Sequence, residues 1–147
     1  MSNIQAVTIL LVEDDPGHAR LIEKNLRRSN ITNKIVSFNN GQDAVDYLFK
    51  SGKYVESNHD SPLLALLDLN LPGFDGYQVL QRMKQDDRTK RIPVIILTTT
   101  DDVHEVSKCY DLGCNVYITK PVDYAQFSQA IRKIGLFLSV VTVPDGE

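Results

Sequence analysis

Five short runs of apolar or β-branched residues, Thr8–Val12, Lys34–Phe38, Leu63–Leu67, Val94–Leu97 and Val116–Thr119, alternate with longer amphipathic stretches along this chain. The runs have the length and near-continuous apolar character of strands covered on both faces. The stretches between them repeat apolar residues at helical spacing: Ala19, Ile22 and Leu26 in 16–29, Val45, Leu48 and Phe49 in 42–50, Val79, Leu80 and Met83 in 76–85. Two more follow, over 102–112 and from 124 to about 138. Strict alternation of strand and helix implies right-handed crossovers, and so predicts an α/β fold with a doubly wound parallel sheet and helices on both faces.

With 147 residues, 42% of them hydrophobic, the chain suits one domain with an ordinary core. A net charge of -3 with no dense basic block argues against nucleic acid as a partner. No apolar run approaches the ~20 residues that cross a bilayer, and Met1 to Ala6 lacks the regions of a signal peptide, so no membrane role and a cytoplasmic location are expected. Cys109 and Cys114 have no Cys or His partners at zinc spacing and read as buried, reduced, inert thiols.

In an open parallel sheet, ligands bind beyond the carboxyl ends of the strands. There the first strand runs into Glu13 and Asp14, the third into Asp68 of "LLDLNLPG", the fourth into Thr98 of "VIILTTT" and the fifth into Lys120 of "YITKP". Each polar group directly follows residues that read as core, and the four stretches converge on one rim, which points to a functional site rather than a solvated surface.

The acids of "VEDDP" separate by role. Asp15 precedes Pro16, and Asp at an N-cap followed by Pro at the first helical position is a helix-start signal. Glu13 and Asp14 remain, with Asp68 facing them from the neighbouring strand. Three carboxylates so close would raise one another's pKa unless a cation neutralised them, and hard oxygen ligands favour Mg²⁺.

"VEDDP", "LLDLNLPGFDG", "PVIILTTT" and "YITKP", in this order across five β/α repeats, resemble the receiver domain of two-component response regulators. The resemblance implies a flavodoxin-like sheet of order 2-1-3-4-5 over residues 1–135. It makes Asp68 the phospho-acceptor, Asp14 a direct metal ligand, Glu13 a water-mediated one and Asn70 a ligand through its backbone carbonyl. Thr98 and Lys120 match the residues that contact the phosphoryl group, and Tyr117 the aromatic that moves in activation. It also implies a sensor histidine kinase as partner, and a cis peptide before Pro121. Mg²⁺-dependent phosphohydrolases share aspartyl-phosphate chemistry, but their second Asp works as acid and base, and Asn70 at that position cannot take a proton at neutral pH. A phosphorylated switch without enzyme turnover is therefore expected, with a phosphorelay intermediate unrelated to light as the other use of the same chemistry. A receiver-like scaffold that is never phosphorylated would lack Asp68, Lys120 or the acidic pair.

His18, His59 and His104 are isolated in sequence and read as solvated, although His18 lies on a helix that in the family helps to dock the kinase. Residues 50–61, "KSGKYVESNHDS", are polar without periodicity and read as a flexible surface loop. Beyond the core stripe of Ile131 and Ile134, the tail adds Phe137, Leu138, Val140, Val141 and Val143, more apolar surface than one helix face can bury. This tail, with the long loop before the third strand, resembles the stand-alone response regulators paired with cyanobacterial phytochromes. That resemblance implies a phytochrome-type kinase and a homodimer contact at 136–147.

Overall fold

The computed structural model describes residues 8–28, 33–55, 63–99, 101–120, 125–126 and 129–130. Five parallel strands, β1 (Thr8–Val12), β2 (Ile35–Phe38), β3 (Leu63–Asp68), β4 (Val94–Thr98) and β5 (Val116–Thr119), form one sheet of order β2-β1-β3-β4-β5. Helices α1 (Pro16–Arg28), α2 (Gly41–Leu48), α3 (Gly76–Gln85) and α4 (Val103–Asp111) fill the connections, and residues 125–126 and 129–130 are helical. The doubly wound sheet and its order are those expected.

Neighbouring residues of each strand serve opposite layers. Ile9 and Leu11 of β1, Leu64 and Leu66 of β3, and Ile95 and Leu97 of β4 pack with Ile22 and Leu26 of α1 and with Ala130. Leu10 and Val12, Ala65 and Leu67, and Val94 and Ile96 pack with Val45 of α2, Leu80 and Met83 of α3 and Cys109 of α4. Period-2 orientation in a sheet covered on both sides thus turns each apolar run into two half-cores. Both cysteines are free and buried, as expected, and burial pushes the Cys114 thiol up to about 12, which keeps it protonated at neutral pH.

Two strands run one residue beyond the apolar runs. Asp68 pairs with Leu97, and Thr98 with Thr119, so both polar residues belong to the ladder itself. Behind Asp68 the fold leaves no slack. A Cβ on Gly76, the first residue of α3, would lie 2.4 Å from the Asp68 carbonyl oxygen and 2.5 Å from Leu69 Cα. Glycine there lets α3 start directly against the backbone of the strand end.

The stretch after α2 differs from the expected loop. Gly52–Tyr54 form a 3₁₀ turn, and the Tyr54 ring stands edge-on to Phe38 and Tyr47, with centroids 5.9 and 5.4 Å away. Such edge-to-face pairs anchor the turn to β2 and α2. Residues 56–62, Pro121, Ile131, Ile134 and the apolar tail over 136–147 lie outside the described residues. Among the described residues, no helix is long and apolar enough to cross a membrane.

Candidate functional site

The rim at the carboxyl ends of β1, β3, β4 and β5 brings the candidate residues together. Glu13 continues β1, its amide donating to the Phe38 carbonyl at 3.0 Å, and its Oε2 accepts the Asp15 amide at 3.2 Å. Asp15 Oδ1 in turn accepts the amides of Gly17 at 2.8 Å and His18 at 3.0 Å, so it caps α1 as expected and leaves Asp14 to the site. Asp68 Oδ1 accepts the Asn70 amide at 3.0 Å, which fixes the carboxylate plane, and the Asn70 side-chain amide reaches Thr99 Oγ1 at 3.4 Å.

Lys120 ties the two buried acids together. Its Nζ donates to Glu13 Oε1 at 2.5 Å and to Asp68 Oδ2 at 3.0 Å, across 107 and 52 residues of sequence. All three side chains are nearly out of water, with Lys120 8%, Glu13 0% and Asp68 3% exposed. Burial, followed by a hydrogen bond with Asp68, raises the Glu13 carboxyl to about 7, against a smaller lowering by Lys120. For Lys120, burial alone would depress the ammonium, but the hydrogen bonds and charges of Glu13 and Asp68 outweigh it and hold it above the usual lysine value.

Glu13, Asp14 and Asp68 each offer a carboxylate oxygen, and the three oxygens lie within 4.8 Å of one another. When ionised, three carboxylates against one ammonium leave two negative charges in excess, the charge a divalent cation cancels. The donors are hard oxygens, and Asp14 is exposed while the other two are buried, so an ion held there would keep an open side for water. The residues fit Mg²⁺.

Thr98 and Tyr117 add uncharged groups to the rim. Thr98 is fully buried at the end of β4, and its carbonyl accepts the Lys120 amide at 2.5 Å. Tyr117 of β5 is half-buried, and its hydroxyl hydrogen-bonds the Thr98 side chain. Burial pushes that phenol up to about 12. One participant escaped the sequence reading. His18, exposed as expected, also sets its Nδ1 3.3 Å from Lys120 Nζ and 3.8 Å from Glu13 Oε1, with half of its side chain exposed. The first turn of α1 follows the acids directly and returns the fifth residue after Glu13 to the pocket mouth. His104, by contrast, lies exposed at the start of α4, and His59 lies outside the described residues.

This arrangement of acids, hydroxyl and lysine on a 2-1-3-4-5 sheet defines a class, and the family model for the response regulator receiver domain matches residues 9–132. The chain belongs to this family of two-component response regulators. Response regulator Rcp1 of Synechocystis is 39% identical over 137 residues, 92% of each protein. The crystal structure of its Mn²⁺-bound form aligns with a TM-score of 0.74 at 37% identity, covering 89% of this chain and 93% of that one. A receiver domain from Rhodospirillum rubrum is 54% identical with a TM-score of 0.76, over 96% of this chain and 99% of its own. The phosphorylated cyanobacterial phytochrome response regulator RcpA is 36% identical with a TM-score of 0.77, over 95% of this chain and 98% of its own. The chain is thus a receiver similar to phytochrome response regulators.

Proposed function

We propose that this protein accepts a phosphoryl group on Asp68 from a phytochrome-type sensor histidine kinase in the cytoplasm, and signals through protein contacts. The observation that carries this reading is the Lys120 ammonium held on Asp68 inside a pocket of three carboxylates. Asp14, Asp68, the Asn70 carbonyl and, through water, Glu13 would hold Mg²⁺. When bound, the ion neutralises the carboxylates and draws charge from the phosphoryl oxygens.

The chain's own groups supply the rest. An Asp68 carboxylate oxygen attacks phosphorus as the bond to the donor imidazole breaks, its electron pair leaving with that nitrogen. The Asn70 amide holds the nucleophile's plane, and Lys120 offsets the charge that arrives with the phosphoryl group. A new phosphoryl oxygen is a stronger acceptor than a phenol, so the Thr98 hydroxyl turns to it and gives up Tyr117. Release of Tyr117 passes the event to the surface of β5 and α4. Residues 1–135 form the receiver and 136–147 a separate apolar extension through which two copies associate; sedimentation at tens of micromolar would find a dimer, and a monomer at that concentration defeats this part.

Phosphotransfer from phytochrome-type kinases, assayed in red and in far-red light, tests the whole. Label is expected on the wild type in one light condition and none on Asp68→Asn, whose circular dichroism stays native, because a neutral amide is a poor nucleophile. Undiminished labelling of Asp68→Asn would overturn the acceptor, and equal transfer from unrelated kinases in either light would overturn the partner.

A further inference from the structure

We infer that His18 is a positioning residue for Lys120, holding the third hydrogen of its ammonium so that another stays aimed at Asp68. The role rests on the phosphoryl-accepting reading of Asp68, but the contact is read from geometry alone. A lysine ammonium has three donors and no acceptor, so the 3.3 Å approach of Nζ to His18 Nδ1 is a hydrogen bond only if Nδ1 accepts. That places the imidazole proton on Nε2 and makes the neutral ring the acceptor. Glu13 Oε1, Asp68 Oδ2 and His18 Nδ1 then complete the ammonium's three bonds, each from a different element: the end of β1, the end of β3 and the first turn of α1.

Two anchors would leave the ammonium free to rock about the line joining them; the third removes that freedom. It matters most when Glu13 changes partners. A cation in the acidic pocket competes for the Glu13 carboxylate, which is the shortest of the three contacts. Lys120 then keeps its direction toward Asp68 only if another fixed acceptor remains. His18 is suited to this because it carries no negative charge to draw the ammonium away from an arriving phosphoryl group, as a carboxylate in its place would. Its ring is half exposed, so the contact forms at the edge of the pocket.

The test uses the full chain and three variants, His18→Ala, His18→Asn and His18→Phe. Asn offers an oxygen near the place of Nδ1, whereas Phe restores bulk without an acceptor. Hydrogen exchange of the Lys120 ammonium, followed by ¹⁵N NMR in the absence of any phosphodonor, should accelerate in His18→Ala and His18→Phe and return toward wild type in His18→Asn. Labelling by acetyl phosphate with Mg²⁺ should slow by about two- to tenfold in the first two, the size of one lost hydrogen bond, and recover in His18→Asn. Unchanged exchange in His18→Ala, or restoration by His18→Phe, overturns the inference, the latter because shielding alone would then suffice. If the wild type takes no label while the exchange pattern holds, the contact stands and the phosphoryl reading falls.

Discussion

The two halves of the rim meet Asp68 in opposite ways. In the acidic pocket, Glu13 and Asp14 from the end of β1 and the Lys120 ammonium, which reaches across from the end of β5, bring ionisable groups, two of them taken almost wholly out of water, and the price of that burial is visible in a glutamic acid whose pKa has climbed to about 7. On the β4–β5 side, Thr98 and Tyr117 bring one neutral hydrogen bond between a hydroxyl and a phenol. Charges interact strongly at a distance, whereas a neutral hydrogen bond is worth only about 0.5–1.5 kcal/mol net and is readily exchanged. The charged half is built to bind and the neutral half to let go. In the proposed function, chemistry and signalling fall to two sets of residues that share a single carboxylate.

The division can be broken first from the charged side. Asp14→Ala should lower Mg²⁺ affinity by about tenfold or more, since even groups that only support a metal ligand cost about 10–100-fold when lost. Asp15→Ala, one residue away, should leave Mg²⁺ binding intact and cost only about 1 kcal/mol of stability as a lost helix cap. Calorimetric titration beside thermal melts reads both. Equal losses of Mg²⁺ affinity would erase the distinction between the two aspartates.

The pH dependence of metal binding is the next test. Because the folded state raises Glu13 from its ordinary 4.5 to about 7, the metal-free protein binds an extra proton in that interval. The stability linked to this group is fully present below pH 4.5 and is lost as pH rises through 7. Mg²⁺ competes with that proton, so the rise in Tm on adding Mg²⁺ should be larger at pH 8 than at pH 6. An increment equal at both pH values would mean that Glu13 does not govern the pocket in this range.

The smallest effect belongs to the neutral side. Tyr117→Phe deletes the hydroxyl that pairs with Thr98 and should cost no more than about 1 kcal/mol. Labelling of Asp68 should stay near wild type, while the NMR shifts that phosphorylation induces in α4 and β5 shrink. A labelling rate that collapses in Tyr117→Phe would show the two halves to be one machine.

How much of this was legible in the chain depends on which residues speak locally. The strands announced themselves because a sheet buried on both faces needs continuous apolar runs, and α3 was legible to the residue, at Gly76–Gln85. Asp15 was readable because capping is a local bargain between a side chain and the amides that follow it. Tyr54 was not: one aromatic in a polar stretch has no periodicity, and its place against Phe38 and Tyr47 depends on contacts distant in sequence. The contact of His18 with Lys120 was hidden for a related reason. Its partner Lys120 lies 102 residues away, and nothing between them signals that the first turn of α1 comes back over the pocket. The resemblance of four motifs supplied roles for Thr98 and Tyr117, but their mutual hydrogen bond emerged only when β4 and β5 were side by side.

The start of α3 against the back of Asp68 has a mechanical consequence. The α3 backbone comes so close that a Cβ on Gly76 would fall 2.4 Å from the Asp68 carbonyl oxygen, so the strand end is backed by the start of a helix. In the proposed function, a phosphoryl group added to its carboxylate would push away from this backing, toward the parts that yield. A signalling protein needs such a rectifier: an input that could be absorbed equally on all sides would dissipate as heat, whereas one set against a rigid stop is delivered as displacement.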